Sequence, residues 1–212
     1  MWLRSDDFDH GGPIPERHAM GKHHPDTNAT FSDNINPNLS WGDLPAGTES
    51  LALIMVDTCA PTVGDDVNQP GRTVPRDLPR ANFYHWVVVG LEPAAGQITA
   101  GSHAAGVVPG GKSAVLEAVA PTEWAGSRQG LNSYTDWFAG DTQMSGSYFG
   151  YDGPFPPWND ELTHQYEFTM YALDARVGEL PEAFTARDVM AAMEGHVLDS
   201  ATLTGTYRIN PS

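Results

Sequence analysis

The chain has 212 residues, 40% of them hydrophobic, enough for the core of one domain and too many for a globally disordered chain. Its formal charge of −16, from 27 acidic and 11 basic residues, repels nucleic acid and anionic lipid surfaces, whose phosphates need local cations. A single cysteine excludes an internal disulfide, and apolar runs such as 51–56 and 86–89 are far too short to span a bilayer, so no stable membrane insertion is expected. Residues 1–7 mix polar and acidic side chains with no apolar h-region after them, which predicts a cytoplasmic protein.

In chain order, residues 50–57 read as a strand buried on both faces, apolar from Leu51 to Val56 and closed by Asp57. Residues 62–82, with three prolines and charges of both signs, read as a long loop. Residues 83–89 are aromatic and β-branched and form a second strand. The Gly- and Ala-rich stretch 96–111 is a second long loop, and both loops are expected to make an ordered rim beside a pocket. Residues 165–173 alternate polar and apolar as a half-buried strand does. Thr185 is placed to cap a helix with Val189, Met190 and Met193 on one face, ending near Gly195, and residues 201–209 supply a last strand. The expectation is one domain over 1–212, mainly β, a Greek-key β-sandwich with a few peripheral helices.

Residues with chemistry gather at the strand ends. Asp57-Thr58-Cys59-Ala60-Pro61 follows the first strand, and His85 lies in the next. Tyr151-Asp152-Gly153-Pro154-Phe155-Pro156-Pro157 is a stiff turn, and His164-Gln165-Tyr166 opens another strand. Prolines fix backbone direction, His and Tyr supply donors for an oxyanion, and a carboxylate such as Asp57 can orient an imidazole through one ring nitrogen. The bland alternatives stay open. His85 and His164 can be strand histidines satisfied by backbone, Asp57 a strand terminator, Tyr166 a half-buried strand residue and Cys59 a small buried apolar one.

The chain resembles the phosphatidylethanolamine-binding family, which includes the Raf kinase inhibitor proteins and their bacterial relatives. The resemblance is carried by Gly12-Pro13-Ile14-Pro15, Asn36-Pro37-Asn38-Leu39-Ser40-Trp41, Asp57-Thr58-Cys59-Ala60-Pro61 and Gly153-Pro154-Phe155-Pro156-Pro157. It continues through His164-Gln165-Tyr166, Gly195-His196-Val197-Leu198 and Gly205-Thr206-Tyr207. It implies a pocket for phosphate-like headgroups lined by Asp57, His85, Pro157, His164 and Tyr166, with Tyr151 as an extra wall. It also implies a protein partner, since eukaryotic relatives bind kinases or transcription partners. Cys59 and Gln165 depart from the family's usual Asp and Arg, which puts the support and selectivity of the pocket in question.

Two other motifs are set aside. Gly106-Val107-Val108-Pro109-Gly110-Gly111-Lys112-Ser113 satisfies the G-x-x-x-x-G-K-[ST] pattern, but no buried strand precedes it, so Lys112 is expected to be dispensable. His18, His23, His24 and Asp26 lie in a Pro- and Asn-rich stretch and are expected to be a solvated loop rather than a metal site. No Gly-x-Ser-x-Gly elbow is present. The expected function is binding of a small anionic or phosphorylated ligand, with possible modulation of a protein partner, no cofactor and no metal; a homodimer is compatible. The alternative is a hydrolase of a small ester with His85 or His164 as general base.

Overall fold

In the computed structural model, residues 1–114 and 126–210 are described. In chain order the elements are β1 (Trp2–Arg4), β2 (Gly21–His24), β3 (Asn28–Phe31), β4 (Leu39–Gly42), β5 (Ser50–Pro61), β6 (Arg80–Leu91), β7 (Gln97–Ile98), β8 (Arg128–Gln129), α1 (Tyr134–Trp137), β9 (His164–Leu173), α2 (Ala186–Ala192) and β10 (Val197–Tyr207). An antiparallel five-stranded sheet has the order β10-β9-β5-β6-β8 and a three-stranded sheet the order β1-β4-β7, with β2 and β3 as a separate hairpin. The chain is mainly β. The succession β9-β5-β6-β8 is compatible with the expected Greek key, with β7 diverted to the other sheet.

The two sheets share one core. Leu51, Leu53 and Met55 of β5 pack with Phe168 and Met170 of β9 on the face that meets Leu39, Trp41 and Ile98 of the smaller sheet. The intervening Ala52 and Ile54 point the other way, onto Phe184 and the Val189 face of α2. This period of two explains why residues 51–56 are apolar throughout: both faces of β5 are covered. Each fully buried large side chain of this kind contributes about 1.5–3 kcal/mol by leaving water.

The helix expected after Thr185 is α2, and the Asp188 carboxylate accepts the Thr185 backbone N–H at 2.8 Å. Met190 is 40% exposed, so only Val189 and Met193 of its expected apolar face are buried. Strand ends differ more. β5 runs on through Asp57 to Pro61, β6 starts at Arg80, β9 includes His164, and the last strand begins at Val197 rather than 201. Irregularities explain the overrun, because bulges let a strand continue past residues that look like terminators. Among the described residues, no helix is long and apolar enough to cross a membrane.

Candidate functional site

The site begins with a break in the β5–β6 ladder. Met55 pairs with Trp86, yet Val56 pairs with Tyr84, so His85 is the extra residue of a bulge. Tyr84 packs beside the outer core around Ile54, while Trp86 belongs to the inner one. The bulge therefore turns His85 and Phe83 to the same side as Trp86. It also frees the His85 carbonyl, which accepts the Asp152 N–H at 3.1 Å. In return His85 Nδ1 donates to the Asp152 carbonyl at 2.8 Å. A carbonyl can only accept, so Nδ1 carries the proton and the neutral ring keeps its lone pair on Nε2. Burial pushes the His85 pKa down, against the opposing pull of Asp57 and Asp152.

A second irregularity, between Asp57 and Ala60, shapes the other side. Asp57 Oδ1 accepts the Cys59 N–H at 2.7 Å, and Asp57 Oδ2 meets His164 Nδ1 at 2.7 Å across 107 residues of sequence. Asp57 thus bonds its own turn and also holds an imidazole. The far edge of that imidazole is not free: His164 Nε2 lies 3.1 Å from Asp160 Oδ2. Asp160 is gripped in turn by Arg80, at 2.6 and 3.0 Å, and Arg80 also donates to the Cys59 carbonyl at 2.9 Å. Burial works against a charged His164, but the bonds to Asp160 and Asp57 outweigh it and hold its pKa at about 8. For Asp160 burial is again overcome, by His164 and Arg80, and its pKa falls to about 2. At neutral pH His164 is a cation with both N–H groups committed to carboxylates.

Asp57, His85 and His164 form the polar floor of a cavity of about 330 Å³. Pro156 and Pro157 line it, as do Val67 and Asn68 of the 62–82 loop and the aromatic residues Phe31, Phe83, Tyr134, Trp137, Phe138 and Phe155. Four of the six residues singled out from sequence are thus Asp57, His85, Pro157 and His164 around one cavity. The other two are not in its lining. Tyr166 is fully buried behind the floor, its ring 5.2 Å from His85 and 6.4 Å from His164, with its hydroxyl beside Asp57 but no well-formed bond. Tyr151 is no wall of the cavity: it is fully buried, edge-on to Trp86, and donates its hydroxyl to the His18 carbonyl at 2.5 Å.

Asp160, Arg80 and most of the aromatic lining were missed by sequence reasoning. Asp160 stands four residues before His164 in an irregular turn, where spacing carries no signal, and Arg80 reads as loop charge. Phe155 sat inside the quoted proline turn and was passed over. Gln165 is exposed on the strand face opposite His164 and Tyr166, and an Asp–Arg pair is present after all, as Asp160–Arg80.

Three expectations are corrected. Lys112, expected to be dispensable, is built into the interior: its ammonium is buried, lies 2.9 Å from Asp152 Oδ2 and donates to the Tyr151 carbonyl. His18 is no solvated loop residue, being fully buried with Nδ1 2.8 Å from the Ile35 carbonyl. His23 and His24 lie on β2, not in a loop. Among the described residues, no group of three or more His, Cys, Asp or Glu side chains is arranged to hold a metal.

The sequence profile described as Phosphatidylethanolamine-binding protein matches residues 4–208. A UPF0098 protein of Methanothermobacter thermautotrophicus is 31% identical over 208 residues, covering 98% of this chain and 99% of that protein. UPF0098 protein YbhB of Escherichia coli is 30% identical over 207 residues, with 98% and 99% coverage. Mycobacterium tuberculosis has a relative named as a candidate lipoprotein, LppC, 27% identical and spanned over 72% of its length. Among solved structures, a phosphatidylethanolamine-binding protein homolog from Chlamydia trachomatis superposes with a TM-score of 0.63 at 25% identity, covering 98% of this chain and 96% of that one. E. coli YbcL superposes with a TM-score of 0.67 at 19% identity, with 99% and 98% coverage, and supports the fold alone.

Proposed function

The chain belongs to the phosphatidylethanolamine-binding protein family, and from that premise we propose that its cavity binds a small phosphorylated ligand as the protonated monoanion. The observation that carries the reading is His85. Its Nδ1–H is held by the Asp152 carbonyl, which leaves an unprotonated Nε2 at the cavity. His164 has no donor to spare, and no Lys or Arg is among the lining residues described. A bare dianion beside Asp57 would meet repulsion, and the one cation of the floor, His164, is already paired to Asp57 and Asp160. A phosphomonoester with one P–OH left can donate that proton to His85 Nε2 and enter with a single charge.

The test is calorimetry with methyl phosphate and with sulfate across pH at fixed ionic strength. Methyl phosphate should bind more tightly as pH falls through about 6, where a phosphate monoester takes up its second proton. Sulfate has no proton to give, so its binding waits on protonation of His85, below about 6.5 because burial depresses that group. His85→Gln should abolish both trends. Equal affinity for the two anions at every pH, or unchanged behaviour in His85→Gln, would refute the proposal.

Phe31 and Trp137, 46% and 50% exposed, line the cavity, so an occupant alters the surface offered to a protein partner. One observation favours a second reading: an unprotonated imidazole nitrogen in an apolar cavity is the form a general base needs. His85, not His164, would be that base. Turnover of a phosphomonoester or carboxylic ester that is lost in His85→Gln would establish it.

A further inference from the structure

We propose that Lys112 and Asn132 join in an intramolecular isopeptide bond, with Asp152 carrying the proton, in a buried cluster none of whose side chains lines the cavity. Lys112 Nζ lies 2.9 Å from Asp152 Oδ2, and Asn132 Nδ2 donates to that same oxygen at 2.8 Å. An amine and a carboxamide from two separate segments therefore converge on one carboxylate atom. Asn34 is the other amide of the cluster, but it bonds the opposite oxygen, Oδ1, at 2.7 Å, which leaves Asn132 on the lysine's side.

The surroundings suit a reaction as well as an ion pair. The Lys112 and Asp152 side chains are 3% and 0% exposed and Asn132 is buried, so water is kept from the amide. Burial pulls the Lys112 pKa down against the opposing pull of Asp152, which favours the neutral, nucleophilic amine. The Asn132 carbonyl accepts the Tyr134 N–H at 3.0 Å, a donor placed to hold the oxyanion that attack creates. Asn132 Nδ2 also donates to the Gly150 carbonyl at 3.0 Å, which fixes the amide plane.

The step balances without a co-reactant. The Lys112 ammonium passes a proton to the Asp152 carboxylate, and the freed Nζ lone pair attacks Asn132 Cγ as the C=O π bond opens. A proton moves from Nζ to Nδ2 through the Asp152 carboxyl, the Cγ–Nδ2 bond breaks and the carbonyl re-forms. Ammonia takes up the proton held by Asp152 and departs as ammonium, so the carboxylate is restored. The ion pair is the state that precedes the bond. The product ties the segment before β8 to the entry of α1.

Mass spectrometry of the intact full chain, and then of its tryptic digest, tests this. The protein should be lighter than its sequence by one ammonia. Cleavage after Lys112 should be lost, leaving residues 81–128 joined to residues 129–176. Asp152→Asn keeps the side-chain shape but cannot take the proton, and its soluble product should remain unlinked. A parent of full sequence mass that yields a free 81–112 peptide would overturn the inference. So would loss of one water, which makes Asp152 the acceptor, or linkage to residues 23–72, which makes Asn34 the acceptor. Loss of ammonia without a link is ring closure at an asparagine and overturns it as well. An Asp152→Asn protein linked as fully as the parent would overturn the role given to Asp152.

Discussion

His85 stands between two buried polar clusters that contrast in one respect. On its Nδ1 side, Asp152 is fully buried and its carboxylate takes bonds from Asn34 at 2.7 Å, Asn132 at 2.8 Å and Lys112 at 2.9 Å. Its backbone N–H and carbonyl are both bonded to His85. On the Nε2 side, Asp57, His164, Asp160 and Arg80 form an equally dry chain of charges, but that cluster borders the cavity and is incomplete. His85 Nε2 waits for a partner, and the buried Tyr166 hydroxyl and Arg80 Nε lack one. A buried polar network in which every group is satisfied fixes structure; one left open at a cavity can be completed by a ligand. The difference between scaffold and site is a matter of unfilled valence rather than of residue type.

The comparison is broken most severely on the closed side. Lys112→Met leaves Asp152 buried with a charge that only Asn34 and Asn132 offset. Loss of one member of such a pair costs about 3–5 kcal/mol. Thermal or urea unfolding should show that loss, and adding Asp152→Asn should restore part of it by removing the orphaned charge. A Lys112→Met protein as stable as the parent would mean that the cluster is not closed by this ion pair.

The next effect, on the open side, depends on pH. His164 has a pKa of about 8 in the fold against about 6.5 when unfolded. Its contribution is full below about 6.5 and is lost as pH rises through about 8, about 2 kcal/mol in all. His85 has the opposite sign: its depressed pKa adds stability above about 6.5 that is lost as the unfolded chain takes up protons below that value. Unfolding free energies from pH 5 to pH 9 should therefore fall on the alkaline side in the parent and lose that slope in His164→Gln. An alkaline slope that persists in the variant would assign it to other groups.

Much of the architecture was legible because burial on two faces leaves a pattern that local chemistry cannot imitate. The unbroken apolar run of β5 and the alternation of β9 are of this kind. The floor was half legible. Asp57 and His164 stood out through their neighbours, but nothing in sequence marks His85 as a bulge residue, since a register shift is a property of two strands at once. The role of Lys112 was misread for a related reason. Its partners, Asp152 and the Tyr151 carbonyl, come from a distant turn, and a lysine in a glycine-rich segment looks solvated until that turn is packed over it. Asp160 and Arg80 lie outside regular spacing altogether, joined only when the 62–82 loop folds against the turn that precedes β9.

The smallest expected effect decides which arginine position supports the floor. Gln165 departs from the arginine that the family resemblance leads one to expect, which invites the view that Gln165→Arg would strengthen the site. The strand alternation argues otherwise. His164 and Tyr166 face the inner core, so Gln165, between them and exposed, points off the other face of the sheet, opposite Thr206 of β10. An arginine there reaches solvent, and exposed substitutions of this kind stay within about 0.5 kcal/mol. Arg80 is the residue that grips the floor, through a two-pronged contact with Asp160 and a bond to the Cys59 carbonyl. Arg80→Lys keeps the charge but gives up the fork, for a loss of about 1.5 kcal/mol. With Asp160 then less well neutralised, the His164 pKa should rise further in that variant, whereas Gln165→Arg leaves it near 8. Nuclear magnetic resonance titration of the His164 ring in the two variants separates them. A shift in Gln165→Arg with none in Arg80→Lys would move the support of the floor to the strand face and reverse the assignment.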